Sequence, residues 1–330
     1  MYSIILKQMH SRFLLACFFF SLCAWHGPAA NAQPGRPLNE EFRLHENFQS
    51  KFLAKNRDVI VWLPPGYASE PTRRYPVLYM HDGGSVFVLW RIDEIAKPLI
   101  TSREVEALII VMVANGGTQD DRFDEYTPTK PPNFRNGGKA NSYGRMLVEE
   151  LKPFIDSKYR TLTDPANTGL GGASLGGIVS LHLGLKYPTV FGKLAIISPS
   201  LWWDDKRMVR NVKELKSKPN LRIWLDIGTG EGQTAVDDAK DLRNAFVKKG
   251  WVLNSDLIYF EAKGSSHNDN SFAQRAKPML KHLFPQQPSQ NNDKATHQVG
   301  LDVPYSGALP AASARTRPYK PSSFRRAKDK

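Results

Sequence analysis

The sequence predicts an α/β fold, with a mainly parallel central sheet and helices on both faces. Three observations lead there. Strand-like runs alternate with helical periods from Phe42 to Pro285, the pattern of a sheet joined by crossover helices. Ala107–Ala114 is apolar throughout, as in strands buried on both faces. Hydrophobic residues make up 41% of the 330-residue chain and charged residues 23%. That is enough apolar material for a sizeable core, and it excludes both a polytopic membrane protein and a wholly disordered chain.

Asp58–Leu63 and Val77–Met80 are β-branched and aromatic runs bounded by Pro and Gly, and read as strands; Ala107–Ala114 is the next. Tyr143, Met146, Leu147, Val148, Leu151, Phe154 and Ile155 recur at helical spacing, with a kink expected at Pro153. Asn167–Gly171 is a short strand and Leu175–Lys186 a helix. Lys193–Ser198, Leu221–Ile227 and Asp256–Phe260 continue the sheet, with helices at Val236–Lys249 and Phe272–Leu283. In such sheets chemistry gathers on loops beyond the carboxyl ends of strands.

The termini differ from this body in composition. Residues 1–32 combine Lys7 and Arg12, the apolar stretch Phe13–Trp25, and Ala30 and Ala32 at the spacing of a secretory signal cleaved near Ala32. Both cysteines, Cys17 and Cys23, lie in that segment, so the exported chain needs no disulfide. The expected organisation is a signal peptide (1–32), a folded domain (33–285) and a disordered basic tail (286–330), in the periplasm or outside the cell. Of the formal charge of +13, Lys7 and Arg12 carry two charges, and eight cations against three aspartates from 285 onward carry five. The body keeps +6 without a long basic run, so nucleic acid is not implied as a partner. The tail reads as a solubilising segment or a weak contact for an anionic surface.

Gly172-Ala173-Ser174-Leu175-Gly176-Gly177 falls between a strand and a helix, where a G-x-S-x-G elbow exposes a nucleophilic serine. The serine is expected in a strained backbone conformation, with glycines two residues to either side because side chains there would collide. The helix then directs the Leu175 N–H at a developing oxyanion. A glycine-rich packing turn with an idle serine is the structural alternative. A second oxyanion donor is expected from Gly83 or Gly84, after the strand ending Tyr79-Met80-His81-Asp82.

Among eight histidines, His267 is the candidate base. His10 and His26 leave with the signal, and His297 lies in the tail. His45 precedes the first strong strand, His81 belongs to the oxyanion loop, and His182 and His282 are within helices. His267 instead occupies the polar loop Gly264–Asn268. Glu231, in the loop after Leu221–Ile227, is the preferred acid because a loop carboxylate reaches His267 more readily than Asp226 within the strand; Asp237 is a further alternative. No His/Asp/Glu/Cys cluster has zinc-like spacing, so neither metal nor cofactor is expected.

The order Ser, acid, His is that of α/β-hydrolases. The chain resembles the esterase family of that fold, which includes siderophore (enterochelin-type) esterases, feruloyl esterases, S-formylglutathione hydrolases and mycolyltransferases. The resemblance runs from about Arg57 to Pro285. It rests on Leu63-Pro64-Pro65-Gly66-Tyr67, Met80-His81-Asp82-Gly83, Arg122 with Glu125-Tyr126-Thr127-Pro128, Glu150–Ile155, the serine elbow, Ser198-Pro199-Ser200-Leu201-Trp202-Trp203, Gly228-Thr229-Gly230-Glu231 and Leu283-Phe284-Pro285. It implies an α/β-hydrolase fold, a Ser174–His267–Glu231 triad and a small-molecule ester substrate of siderophore or aromatic type. Trp202 and Trp203 then wall a pocket, or are core aromatics after a strand. Arg122 contacts an anionic substrate, or pairs with Glu125. The expected activity is a secreted serine hydrolase working through an acyl-enzyme. An acyltransferase using the same intermediate and a non-catalytic binding module on the same fold are the alternatives.

Overall fold

The computed structural model describes residues 36–286. Eight strands form one sheet in the order β1-β2-β4-β3-β5-β6-β7-β8. They are β1 (Phe42–Phe48), β2 (Arg57–Trp62), β3 (Val77–Met80), β4 (Ile109–Val113), β5 (Thr168–Ala173), β6 (Lys193–Ile197), β7 (Arg222–Gly228) and β8 (Leu257–Ala262). β2 pairs antiparallel with both β1 and β4, and the remaining pairs are parallel. The carboxyl ends of β3, β5, β6, β7 and β8 therefore open on one edge, where the candidate residues follow them. This is the predicted α/β-hydrolase architecture.

The alternation of side chains along each strand builds two cores, one on each face. In β4, Ile109, Val111 and Val113 join the first cluster, with Tyr79, Leu170, Ile196 and Leu225. Ile110 and Met112 join the second, with Met80, Ala195 and Trp224. Helices α3 (Ala140–Arg145), α4 (Lys152–Lys158), α5 (Leu175–Lys186), α6 (Arg207–Lys213) and α7 (Gln233–Lys248) contribute buried residues to the first face. Helices α1 (Ile92–Thr101) and α8 (Asp269–Leu283) cover the second. Both faces being covered explains why the central strands lack polar alternation.

Several elements were absent from the sequence reading, among them the short α6 (Arg207–Lys213). β1 lies at the sheet edge with mixed burial, so its FRLHENF sequence carries little strand signal. Helices α1 and α2 (Gln119–Tyr126) also escaped the periodic pattern, α1 with Pro98 inside it and α2 with largely polar composition. At Pro153 the expected kink takes the form of a π-helical turn, Met146–Leu151, ahead of α4. The proline lacks an N–H and its ring crowds the carbonyl four residues back, and a widened turn accommodates both. The proposed signal and most of the tail lie outside the described residues. Among those described, no helix is long and apolar enough to cross a membrane.

Candidate active site

Ser174 stands on the turn from β5 into α5 with φ 62° and ψ −120°, a conformation costly for a residue with a side chain. Tertiary bonds hold it. Its N–H donates to Ile197 O (3.0 Å), and its carbonyl accepts from Gly177 N–H (3.0 Å) and Ser200 N–H (3.1 Å). A Cβ on Gly172 would lie 3.1 Å from the Gly176 backbone and from His81 Cβ, as the elbow requires. Gly176 departs from expectation: a Cβ there meets nothing closer than 3.5 Å, an ordinary contact. The tight second glycine is Gly177, whose Cβ would press on Pro199 at 3.1 Å.

The Leu175 N–H, which opens α5 directly after the carboxyl end of β5, precedes the first intrahelical bonds, which Gly177 and Ile178 N–H make to Ser174 O. Across from it, β3 runs into His81-Asp82-Gly83-Gly84. Asp82 adopts φ 54°, and its carboxylate accepts from Arg122 Nε (2.9 Å) and Nη2 (2.8 Å) and from Asn115 Nδ2 (2.8 Å). Gly83 is buried, and a Cβ there would come within 2.5 Å of the Met112 backbone, so only glycine lets this loop lie against β4. Gly84 follows, half-buried. His81 is buried and shares a 2.9 Å hydrogen bond with Tyr143 Oη. Burial lowers its pKa to about 3, so the imidazole is neutral at physiological pH.

His267 and Glu231 meet from loops beyond β8 and β7. His267 Nδ1 donates to Glu231 Oε2 at 2.6 Å, leaving Nε2 as the nitrogen for a substrate or serine. Glu231 Oε1 accepts from Gly228 N–H (2.9 Å) and Ser198 Oγ (2.5 Å). Burial alone would raise its pKa, but bonds from His267, Ser198 and Gly228 hold it below the ordinary glutamate value. The alternative acids are placed elsewhere. Asp226 is fully buried and bonded to Trp224 Nε1 (2.6 Å) and Ser198 N–H (3.1 Å), and Asp237 is exposed and bonded to Gln233. Burial pushes Asp226 up to about 6 despite the nearby Arg275.

Ser174 and His267 line one cavity of about 350 Å³, with Asp82, Asn115, Arg122 and Trp90 among the other walls. Among the described residues, the Ser174 hydroxyl bonds Ser200 Oγ at 3.0 Å rather than His267. Arg122 lines the cavity and pairs with Asp82 rather than Glu125, whose partner is the buried Arg57 (2.9 Å). Trp203 is 2% exposed, packed on Phe134 and Phe123 with its Nε1 bonded to Thr129 O, and does not line this cavity. Trp202 is 53% exposed and stacks on Phe134 outside the same cavity. The sequence reading passed over Ser198, Arg275, Asn115 and Trp90, which the fold brings to the site; Ser198 alone lay within a quoted motif. No cluster that could hold a metal ion occurs among the described residues.

Residues 50–286 match the family model described as "Putative esterase". The chain belongs to this esterase family. It is similar to Uncharacterized protein YbbA of Bacillus subtilis (strain 168), 26% identical over 71% of this chain and 95% of that one. It is also similar to the Endo-1,4-beta-xylanase/feruloyl esterase of Xylanibacter ruminicola, 28% identical over 81% of this chain and 35% of that longer one. The enterobactin esterase FES from Shigella flexneri, solved in the presence of enterobactin, shares the fold with a TM-score of 0.61 at 17% identity, covering 76% of this chain and 61% of that one. The esterase is thus a carboxylic-ester hydrolase on an α/β-hydrolase scaffold.

Proposed function

We propose that the esterase is an exported serine hydrolase that cleaves a siderophore-type or aromatic carboxylic ester through Ser174, His267 and Glu231. The 2.6 Å His267–Glu231 bond, beside a serine in strained elbow geometry on the same cavity, carries this reading. Ser174 Oγ turns from Ser200 toward His267 Nε2 and attacks the ester carbonyl as the imidazole takes its proton. Glu231 holds the Nδ1–H tautomer and stabilises the imidazolium. N–H groups of Leu175 and of Gly83 or Gly84 receive the oxyanion, each donor being worth roughly 2.7–4 kcal/mol in comparable sites. The imidazolium then protonates the leaving alkoxide, and water activated by the same histidine releases the acid. Arg122, on the cavity wall, suits an acyl or alcohol part bearing hydrogen-bond acceptors. The exposed Trp202 ring, backed by the half-buried Phe134, offers a face on which an aromatic group protruding from the cavity can stack.

Intact-mass measurement after a fluorophosphonate probe tests this. One adduct is expected on the wild type, none on Ser174→Ala, and slowed labelling on His267→Ala. An unlabelled, well-folded wild type would favour a non-catalytic binding role. The same spectrum tests export, since a mature chain beginning at Gln33 is expected from secreting cells.

A further inference from the structure

We propose that Ser198 and Arg275 form a buried relay that positions Glu231 for His267, with Ser198 as the hydrogen-bonded link; the inference builds on the catalytic reading above. Ser198 follows β6 directly, is 1% exposed, and adopts φ 39°. That left-handed backbone is unfavourable for serine. It aims the N–H at Asp226 Oδ1 (3.1 Å) and the hydroxyl at Glu231 Oε1 (2.5 Å). A hydroxyl has one proton to donate and lone pairs to accept with. Here the proton goes to the carboxylate, and a lone pair accepts from Arg275 Nη2 at 2.8 Å.

Arg275 comes from α8 and is itself 2% exposed. Its Nε lies 3.4 Å from Asp226 Oδ1 and its Nη1 3.7 Å from Glu231 Oε1. Neither nitrogen makes a hydrogen bond among the described residues, so beside the direct charge attraction at 3.7 Å the hydrogen-bonded path from guanidinium to carboxylate runs through the Ser198 hydroxyl. A cation–hydroxyl–carboxylate chain in a dry site is polarised along its length, which strengthens each bond. The result is directional. Oε1 is pinned from behind by Ser198 and Gly228, and Oε2 is left for His267. The guanidinium also lies over the Phe272 ring (5.4 Å), which meets the His267 ring edge-to-face at 5.0 Å and the Trp90 ring at 5.9 Å. The Arg275 guanidinium and the His267 ring thus share one aromatic support. Among the described residues, the charged and titratable groups facing Glu231 are His267, Arg275 and Asp226.

Ser198→Gly is the informative variant, because glycine accepts φ 39° while removing the hydroxyl. It is compared with Arg275→Lys and with the charge-neutral pair Arg275→Met/Asp226→Asn, which leaves no buried ion alone. The first readout is the downfield Nδ1–H proton resonance of His267, which reports the Glu231 contact whether or not Ser174 reacts. The second is the pH profile of kcat/KM on a p-nitrophenyl ester. In Ser198→Gly the resonance should move upfield or broaden. The kcat/KM plateau should fall about ten- to a hundredfold, the scale of a lost hydrogen bond to a charged group, mainly in kcat. Arg275→Lys should retain more of both signals than the charge-neutral pair. An unchanged resonance and profile in folded Ser198→Gly would overturn the relay. A wild type with the resonance but no fluorophosphonate adduct would instead sink the catalytic reading alone.

Discussion

Two carboxylates on and just beyond β7 occupy opposite environments. Asp226, inside the strand, is fully buried and its pKa rises to about 6. Glu231, in the loop beyond, receives three hydrogen bonds, including one from His267, and is held below its usual value. Both lie near Arg275. What separates them is the depth of burial and the number of donors each carboxylate receives. A carboxylate fixed in the sheet can brace a site, whereas one on a loop can reach a histidine from another loop.

The largest test of this division is the pair Glu231→Gln and Asp226→Asn. The first leaves shape intact but spoils the partner that selects the His267 tautomer, so kcat/KM should fall by roughly 10³–10⁴. The second should cost less than about tenfold, measured on the same ester. Equal losses would erase the distinction.

Stability against pH sharpens it. Asp226 has a raised folded pKa, so its protonated form is favoured by the fold, and its contribution declines as pH climbs from about 4 to 6. Glu231 works in the other direction: its stabilisation is present above the unfolded pKa near 4.5 and disappears as pH falls through the lower folded value. Urea unfolding between pH 3 and 7 should therefore show Asp226→Asn without the fall from pH 4 to 6, and Glu231→Gln less sensitive at the acid end. The smallest effect concerns Ser200, the partner of the Ser174 hydroxyl. Ser200→Ala removes a neutral hydroxyl contact from Ser174 and should change the fluorophosphonate labelling rate by no more than about tenfold.

Much of this arrangement was legible in the chain. The continuous apolar run around Ile109–Val113 and the strand–glycine–helix punctuation at Ser174 are local signals, and the structure places those elements where they pointed. Elimination among histidines rests on helices and β-edges leaving few imidazoles on loops, and His267 does lie outside helix and strand, against Glu231. Edge strand β1 was not legible, since half-exposed residues give weak alternation. Arg275 was not either: an arginine in an amphipathic terminal helix normally faces water, and only the convergence of β6, β7 and α8 buries it. Trp202 and Trp203 are adjacent, yet one is exposed and the other enclosed, a difference set by tertiary packing rather than by residue type.

The close approach of Gly177 to Pro199 has a further consequence. Pro199 joins Ser198, whose hydroxyl bonds Glu231, to Ser200, whose hydroxyl bonds Ser174, and the Gly177 Cβ position lies 3.1 Å from that proline. One methyl added to α5 would act as a wedge at the midpoint of this tripeptide. Glu231 and Ser174, remote in sequence, would feel it together, so substitutions at 177, 198 and 200 should be strongly epistatic rather than additive.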